Sequence, residues 1–157
     1  MRFVDDAADP QQRRVYAAEE TVIDDIGPRL RRWADVEAFL ESVLTLPDYL
    51  DAFPDAPLDV ELLRRSRNAT ASLAVAGPDS ILIRDGSWNA LTVLHELAHL
   101  IVATERRTAG PASPQVREPH GPDFVSVELN LVRLRCGFDQ YGLLLTSFDA
   151  HGVRRTS

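Results

Sequence analysis

The sequence has a single cysteine, Cys136, among its 157 residues. One thiol excludes an internal disulfide and a cysteine-based zinc ribbon, and it suits a reducing compartment. No apolar run approaches the roughly 20 residues that a membrane-spanning helix needs. Residues 1–6 also lack the apolar core of a signal peptide. We therefore expect a soluble, cytoplasmic protein without a membrane partner.

Lysine is absent, and all 17 basic residues are arginines, which we interpret as the codon bias of a GC-rich genome. The 24 acidic residues outnumber them and give a formal net charge of −7. Because an anionic surface repels phosphate backbones, this balance argues against a nucleic-acid partner. The length and the 45% hydrophobic content are typical of one folded domain, and we assign residues 1–157 to it.

The hydrophobic pattern predicts an α+β fold in which a small antiparallel sheet packs on a central helix with further helices around it. Asp9 and Asp35 are candidate N-caps of two N-terminal helices. These helices end at Gly27 and Pro47, and a turn-rich connector follows at 47–57. The predicted later elements are a hairpin of strands 69–75 and 80–84, a helix at 88–105, a loop at 106–119, a helix from about 120 to Gly137, and a helix at 140–150.

The helix predicted at 88–105 is apolar on nearly every side. Between Ala90 and Ala103, ten of the fourteen residues are Ala, Leu, Val or Ile. Such a helix is typically buried at the centre of a domain. Three of the exceptions are ionisable, namely His95, Glu96 and His99. Burying them without partners costs several kcal/mol, so a compensating partner is expected.

These residues form the motif His95-Glu96-Leu97-Ala98-His99, an H-E-x-x-H pattern. Residues four apart on a helix return to within about 40° of each other, so the two imidazoles can bind one metal ion. Zn²⁺ is the natural occupant because imidazole nitrogens in a tetrahedral site suit it. Glu96 lies beside that face, where it can reach a water molecule on the metal.

A catalytic zinc site needs a third protein ligand. His120 is the preferred candidate, because it follows a loop long enough to fold back and opens a helix whose Phe124 can pack under the site. The carboxylates of Glu118 and Glu128 remain alternatives. Two other candidates are interpreted as solvent-exposed residues, Glu105 near the end of the central helix and His151 near the C-terminus.

The combination of His95-Glu96-x-x-His99 with His120-Gly121-Pro122-x-Phe124 resembles the SprT-like zinc metalloproteases. The chain is also similar to a group of H-E-x-x-H metallohydrolases from GC-rich bacteria, through the helix start at 35–38, the paired strands and the C-terminal helix. The resemblance implies a zincin-like fold, zinc ligands at His95, His99 and His120, and Glu96 as the catalytic residue. Unlike SprT-like proteins, this chain has no cysteine-based zinc ribbon and no basic surface, which argues against a DNA-linked role.

We therefore expect a zinc metallohydrolase, in the first place a peptidase acting on peptide or protein substrates with Glu96 as general base. The alternatives are a hydrolase of a non-protein amide and a catalytically silent, zinc-stabilised binding module. We expect an extended substrate to pair with a free edge of the 80–84 strand. The segment 106–119 is a candidate lid, and candidate helpers of the oxyanion are Tyr141, Arg117 and His151. The oligomeric state stays open.

Overall fold

The computed structural model describes residues 9–110 and 118–156. Within these ranges the chain forms α1 (Gln12–Val22), α2 (Trp33–Leu44), α3 (Tyr49–Ala52), β1 (Glu61–Arg65), β2 (Leu73–Val75), β3 (Ser80–Arg84), α4 (Ala90–Ala109), α5 (Pro122–Cys136) and α6 (Phe138–Ala150). A short 3-10 turn, Ile23–Asp25, follows α1. The α+β class is confirmed. No helix in the described ranges has the length and apolar character needed to cross a bilayer.

The sheet is mixed rather than antiparallel, with the strand order β1-β3-β2. The predicted antiparallel pairing of β2 with β3 is confirmed. However, β1 pairs in parallel with the other side of β3, and Arg65 lies opposite Arg84 in this register. The sequence pattern of β1 does not alternate between buried and exposed residues. Edge strands often carry charged residues, so their sequences show little of the alternation that identifies a strand.

The central position of β3 shows that one expectation is wrong. Both sides of the 80–84 strand are already paired, so an extended substrate cannot add to it. Within the described residues, the outer strands of this sheet are β1 and β2.

Helix α4 lies at the centre of the hydrophobic core, as predicted. Eleven of its residues are buried, all between Ala90 and Val102. The helix contacts α2, α5, β2 and β3, which together surround it. Because each fully buried leucine stabilises the fold by about 1.5–3 kcal/mol, this packing holds the backbone of the motif in place.

Some helix ends differ from the predicted ones. Helix α4 continues to Ala109 and takes up the first four residues of the predicted loop at 106–119. Arg106 and Arg107 lie in its last turn, where positive charge favours a helix. The part of that loop at 111–117, and with it most of the candidate lid, lies outside the described residues.

Helix α2 begins at Trp33, three residues before the position expected from Asp35 as its N-cap. The Asp35 carboxylate instead accepts hydrogen bonds from the backbone N–H groups of Arg31 and Arg32, at 3.0 and 2.9 Å. An acidic residue in the third position of a helix stabilises its start in this way.

Gly27 marks a close approach between the end of the first helical segment and α4. Its φ is +73°, and a Cβ added there would lie 2.3 Å from the Cβ of Ala90. Its N–H donates to the side-chain oxygen of Gln140 at 2.7 Å, which ties the turn to α6. Both the backbone conformation and the available space therefore require glycine at this position.

We expect Gly27→Ala to lower the free energy of unfolding by about 2 kcal/mol, because it adds backbone strain and a clash with Ala90. Gly142→Ala is the matched control, since nothing lies within 4 Å of a Cβ added there, inside α6. That change is expected to stabilise the protein by up to about 1 kcal/mol. Urea denaturation of both variants checks the prediction, and equal stabilities for Gly27→Ala and the wild type contradict it.

Candidate metal centre

The side chains of His95, His99 and His120 converge on one point. Each pair of their Nε2 atoms is separated by 3.2 Å. Helix α4 supplies the first two residues, and the third lies two residues before α5. His95 and His120 are buried, and His99 is half-buried. The structure thus brings together the three residues that the sequence analysis selected as ligands.

This Nε2 triangle has the dimensions of three corners of a tetrahedral metal site. With metal–nitrogen distances of about 2.0–2.1 Å, the nitrogens of a tetrahedral zinc site lie about 3.3 Å apart. The observed 3.2 Å separations match this spacing. Three neutral imidazoles whose lone pairs meet repel one another unless a cation or protons lie between them. The donor set therefore fits a divalent cation, and the fourth corner is left for a water molecule or a substrate.

Local structure explains why the three rings meet. The helical repeat places His95 and His99 on the same face of α4. His120 is brought in by the tight turn at Gly121, where an added Cβ would lie 3.1 Å from the Cβ of Glu118. The expected packing of Phe124 under the site is confirmed, since its ring centroid lies 4.4 Å from that of His99.

Two buried carboxylates hold the outer nitrogens of His95 and His120. The Nδ1 of His120 lies 2.7 Å from Oδ2 of Asp9, whose Oδ1 also accepts the backbone N–H of His120 at 3.2 Å. The Nδ1 of His95 lies 2.6 Å from Oε2 of Glu19. A carboxylate at Nδ1 keeps a proton on that nitrogen, so the lone pair of Nε2 is directed into the triangle.

The structure corrects the expectation that Asp9 caps α1. That helix begins at Gln12 and has no side-chain cap. The Asp9 carboxylate is instead directed to His120, and the residue is only 3% exposed. The two residues are 111 positions apart, so no local pattern in the sequence could connect them.

The two carboxylates considered as alternative third ligands lie elsewhere. Glu118 forms an ion pair with Arg154 at 3.1 Å. Glu128 is fully buried, and its Oε2 lies 3.5 Å from Nδ1 of His95, on the outer side of that ring. Neither carboxylate belongs to the Nε2 triangle.

Glu128 and Glu19 form a buried acidic pair behind His95. Burial raises the pKa of Glu128 well above its ordinary value, and the neighbouring Glu19 raises it further. Burial likewise raises the pKa of Glu19 to about 7. The separation of 2.6 Å between Glu19 and Nδ1 is that of a hydrogen bond and is too short for two ligands of one ion. We interpret the pair as a support for His95.

Burial favours the neutral form of the ligands. It lowers the pKa of His99 to about 2 and the pKa of His120 below its ordinary value. Burial acts in the same direction on His95, but the carboxylates of Glu128 and Glu96 outweigh it and raise the pKa of that residue. Neutral imidazole is the form that binds metal, and the surrounding carboxylates favour a cation in the triangle.

Glu96 lines a cleft of about 470 Å³ together with Tyr16 and with His95, the one histidine of the triangle that lines it. The residue is 5% exposed. Burial raises the pKa of Glu96, while His95 and Arg65 act in the opposite direction. No hydrogen bond to a described residue holds its carboxylate, so the carboxylate is available to accept a proton.

Tyr16 is a site residue that the sequence analysis missed. Its ring stacks on His95, with centroids 5.3 Å apart and an interplanar angle of 15°, and lies 5.2 Å from the ring of His120. The available signal was Glu19, an acidic residue in line with the apolar positions Val15 and Val22 of α1. A buried acid on an apolar face indicates a buried partner, and Tyr16 is on the same helix.

The remaining candidates lie away from the triangle. Glu105 is exposed on α4, as expected. The Nδ1 of His151 donates to the carbonyl of Ser147 at 2.8 Å, at the end of α6. Tyr141 packs against Phe138. Arg117 falls outside the described residues.

Comparisons of this chain with protein-family models, with curated proteins and with solved structures find no match. The chemistry of the site is therefore inferred from its own residues.

We expect the protein to bind one Zn²⁺ per chain and His120→Ala to weaken this binding by at least about 100-fold, since a direct ligand is lost. His151→Ala is the matched control, because this histidine lies outside the triangle. Metal content after dialysis and competition with a chromogenic chelator measure the effect. Equal zinc binding by His120→Ala and His151→Ala contradicts the assignment.

We expect Asp9→Asn to weaken zinc binding by about 10- to 100-fold while the fold is retained, because His120 loses the charged partner of its Nδ1. Glu118→Gln removes a nearby carboxylate that pairs with Arg154 instead, and it is expected to bind zinc normally. The same competition assay compares the two variants. An unchanged affinity of Asp9→Asn would show that this carboxylate does not support the site.

Proposed function

We propose that this protein is a zinc-dependent hydrolase that cleaves peptide bonds, with His95, His99 and His120 as ligands and Glu96 as general base. The observation that carries the proposal is a buried carboxylate beside a triangle of three histidines, at the wall of an open cleft. Three protein ligands with a free fourth position are typical of catalytic zinc, whereas structural zinc has four. The resemblance to SprT-like metalloproteases supports the same function.

When bound, zinc supplies a Lewis acid that polarises a carbonyl group and lowers the pKa of water to about 7. Glu96 accepts a proton from the water molecule that attacks the carbonyl carbon. Its burial favours the uptake of this proton, because burial raises the pKa of the carboxyl group. Glu96 then transfers the proton to the leaving amine as the carbon–nitrogen bond breaks. One water molecule is consumed for each bond cleaved.

Tyr16 is placed to contact the substrate. It lines the cleft together with His95 and Glu96, and 40% of its surface is exposed. Its hydroxyl group is protonated at neutral pH and can donate a hydrogen bond to a substrate oxygen. The stacking of its ring on His95 limits the motion of that donor.

Hydrolysis of a non-protein amide would use the same residues, so the substrate panel in the experiment below includes small amides. A silent, zinc-stabilised module has no use for an acidic residue next to the ligands that forms no hydrogen bond with any residue of 9–110 or 118–156. The position of Glu96 therefore favours an enzyme.

We expect Glu96→Gln to retain zinc and to lose at least about 100-fold in turnover, because the amide cannot accept the proton. Glu105→Gln, an exposed change on the same helix, is the matched control. The assay measures zinc content together with the cleavage of unfolded proteins, a peptide library and small amides.

The outcomes separate the alternatives. Cleavage of small amides alone supports the non-protein substrate, and zinc binding without any hydrolysis supports the silent module. Full activity of Glu96→Gln with zinc bound refutes the role of Glu96 as base.

A further inference from the structure

The cleft beside Glu96 is lined by one arginine, Arg84, and by three carboxylates, those of Glu19, Glu20 and Glu96. Arg84, the last residue of β3, lines the cleft, and its partner in the register of β1 is Arg65. Arg65 itself donates to the carbonyl of Ala71, a residue that lines the cleft. The positive charge of Arg84 stands out in a chain whose net charge is −7.

Asp85, the acidic residue next to Arg84 in the sequence, forms its ion pair with Arg64 instead. Asp85 follows β3 directly, but both of its oxygens accept hydrogen bonds from Arg64, at 3.1 Å each. Arg67 lies beside the same turn, with its Nη1 3.4 Å from a Cβ placed on Gly86. The one carboxylate of this turn is therefore already engaged by an arginine outside the cleft.

The Arg84 guanidinium is held in place without an acidic partner. Its Nη1 donates to the carbonyl of Arg67 at 3.0 Å, and its Nη2 donates to Oγ of Ser87 at 2.8 Å. Among the described residues, no carboxylate oxygen lies within 4 Å of the guanidinium nitrogens. This holds also for Glu20, which lines the same cleft. A guanidinium has five N–H groups, so donors remain free after these two bonds.

Small polar side chains complete this part of the cleft. The lining includes the hydroxyl groups of Thr70, Ser72, Ser87 and Thr92. The Oγ of Ser72 accepts the backbone N–H of Arg84 at 2.9 Å, and Arg65 donates to the carbonyl of Ala71, so the segment is fixed against the sheet. A fixed arginine among hydroxyl groups is suited to bidentate binding of a carboxylate.

We infer that Arg84 binds a carboxylate group of the substrate, so the enzyme prefers peptides or acylated amino acids that carry a carboxylate near the bond to be cleaved. This inference rests on the proposed hydrolase function, because Arg84 and Glu96 line the same cleft. The carboxylate can be a free C-terminus or the side chain of an aspartate or glutamate. The experiment distinguishes these two sources.

The test uses the zinc-loaded full chain and three peptides of one sequence. The first peptide has a free C-terminus, and the second has the same sequence with a C-terminal amide. The third peptide also has a C-terminal amide but differs from the second in one position, where glutamate replaces glutamine. We expect kcat/KM to be at least 10-fold higher for one carboxylate-bearing peptide than for the amide, as a charge-assisted bidentate contact allows. The first or the third peptide then identifies the source of the carboxylate.

Arg84→Gln is expected to remove this preference, so that kcat/KM for the carboxylate-bearing peptide falls to the value for the amidated peptide. Arg84→Lys keeps the charge but not the fork of donors, and it is expected to retain part of the preference. Arg133→Gln is the matched control, because Arg133 is exposed and lies about 16 Å along α5 from the start of that helix. Zinc content and thermal unfolding of each variant show whether the fold and the ion are retained.

Two results would overturn the inference. One is equal kcat/KM for all three peptides in the wild type, and the other is an equal loss for all three in Arg84→Gln, which would indicate a purely structural role. If Arg84→Gln does not fold, an unchanged preference in Arg84→Lys overturns it and a reduced one supports it.

Failure of the proposed function gives a different result. If the zinc-loaded wild type cleaves no peptide, calorimetric titration of the same three peptides into Glu96→Gln measures binding without turnover. The subsite is supported if a carboxylate-bearing peptide binds more tightly than the amidated peptide and if this difference disappears in the double variant Glu96→Gln/Arg84→Gln. This result would hold even though the protein is not a peptidase. Equal binding of all three peptides overturns the subsite as well.

Discussion

Three imidazole nitrogens that face one another at 3.2 Å inside a protein are the constraint on which the rest of the structure depends. Burial lowers the pKa of His99 and His120, whereas nearby carboxylates raise the pKa of His95, so the repulsion of the three lone pairs is relieved by a proton on His95 or by a cation. A divalent cation relieves it and at the same time compensates the carboxylates of Asp9, Glu19 and Glu96 around the rings. The apolar surroundings of α4 and the acidic residues near it are thus parts of one electrostatic arrangement.

The N-terminal segment contributes as much to this arrangement as the motif does. Asp9 and Glu19 orient two of the rings, and Tyr16 covers one flank of His95. Helix α1 packs mainly against α6, so the last helix holds these residues over the site although it contributes none itself. In this way α1 and α6 position the candidate metal centre, although its three proposed ligands come from other parts of the chain.

The central helix and the motif could be predicted because they depend on residues that are close in the sequence, whereas the convergence of His120, 21 positions after His99, was inferred from the length of the loop before it and from the resemblance. The helical repeat relates His95 to His99, and a short turn relates His120 to Phe124. The support of His95 by Glu19 could not be predicted, since the two residues are 76 positions apart. The parallel pairing of β1 was missed for a similar reason, because its arginines and exposed leucine resemble a surface loop. The proposed role of Arg84 could not be inferred from the sequence, because it depends on the hydrogen-bond partners of its guanidinium in the folded chain.

Gln11 connects the N-terminal segment to His120 and to the C-terminal segment at Arg154. Its side-chain amide donates to the carbonyls of His120 and Arg154, at 3.0 and 3.1 Å, and its oxygen accepts the backbone N–H of Arg154. A proteolytic cut that released the first twenty residues would leave the whole H-E-x-x-H and H-G-P-x-F signature in place. It would nevertheless remove this clamp together with the side chains of Asp9, Tyr16 and Glu19, which contact the rings of His95 and His120. A truncated chain of this kind would still match the signature by its letters, but it would no longer hold the histidines ready for an ion.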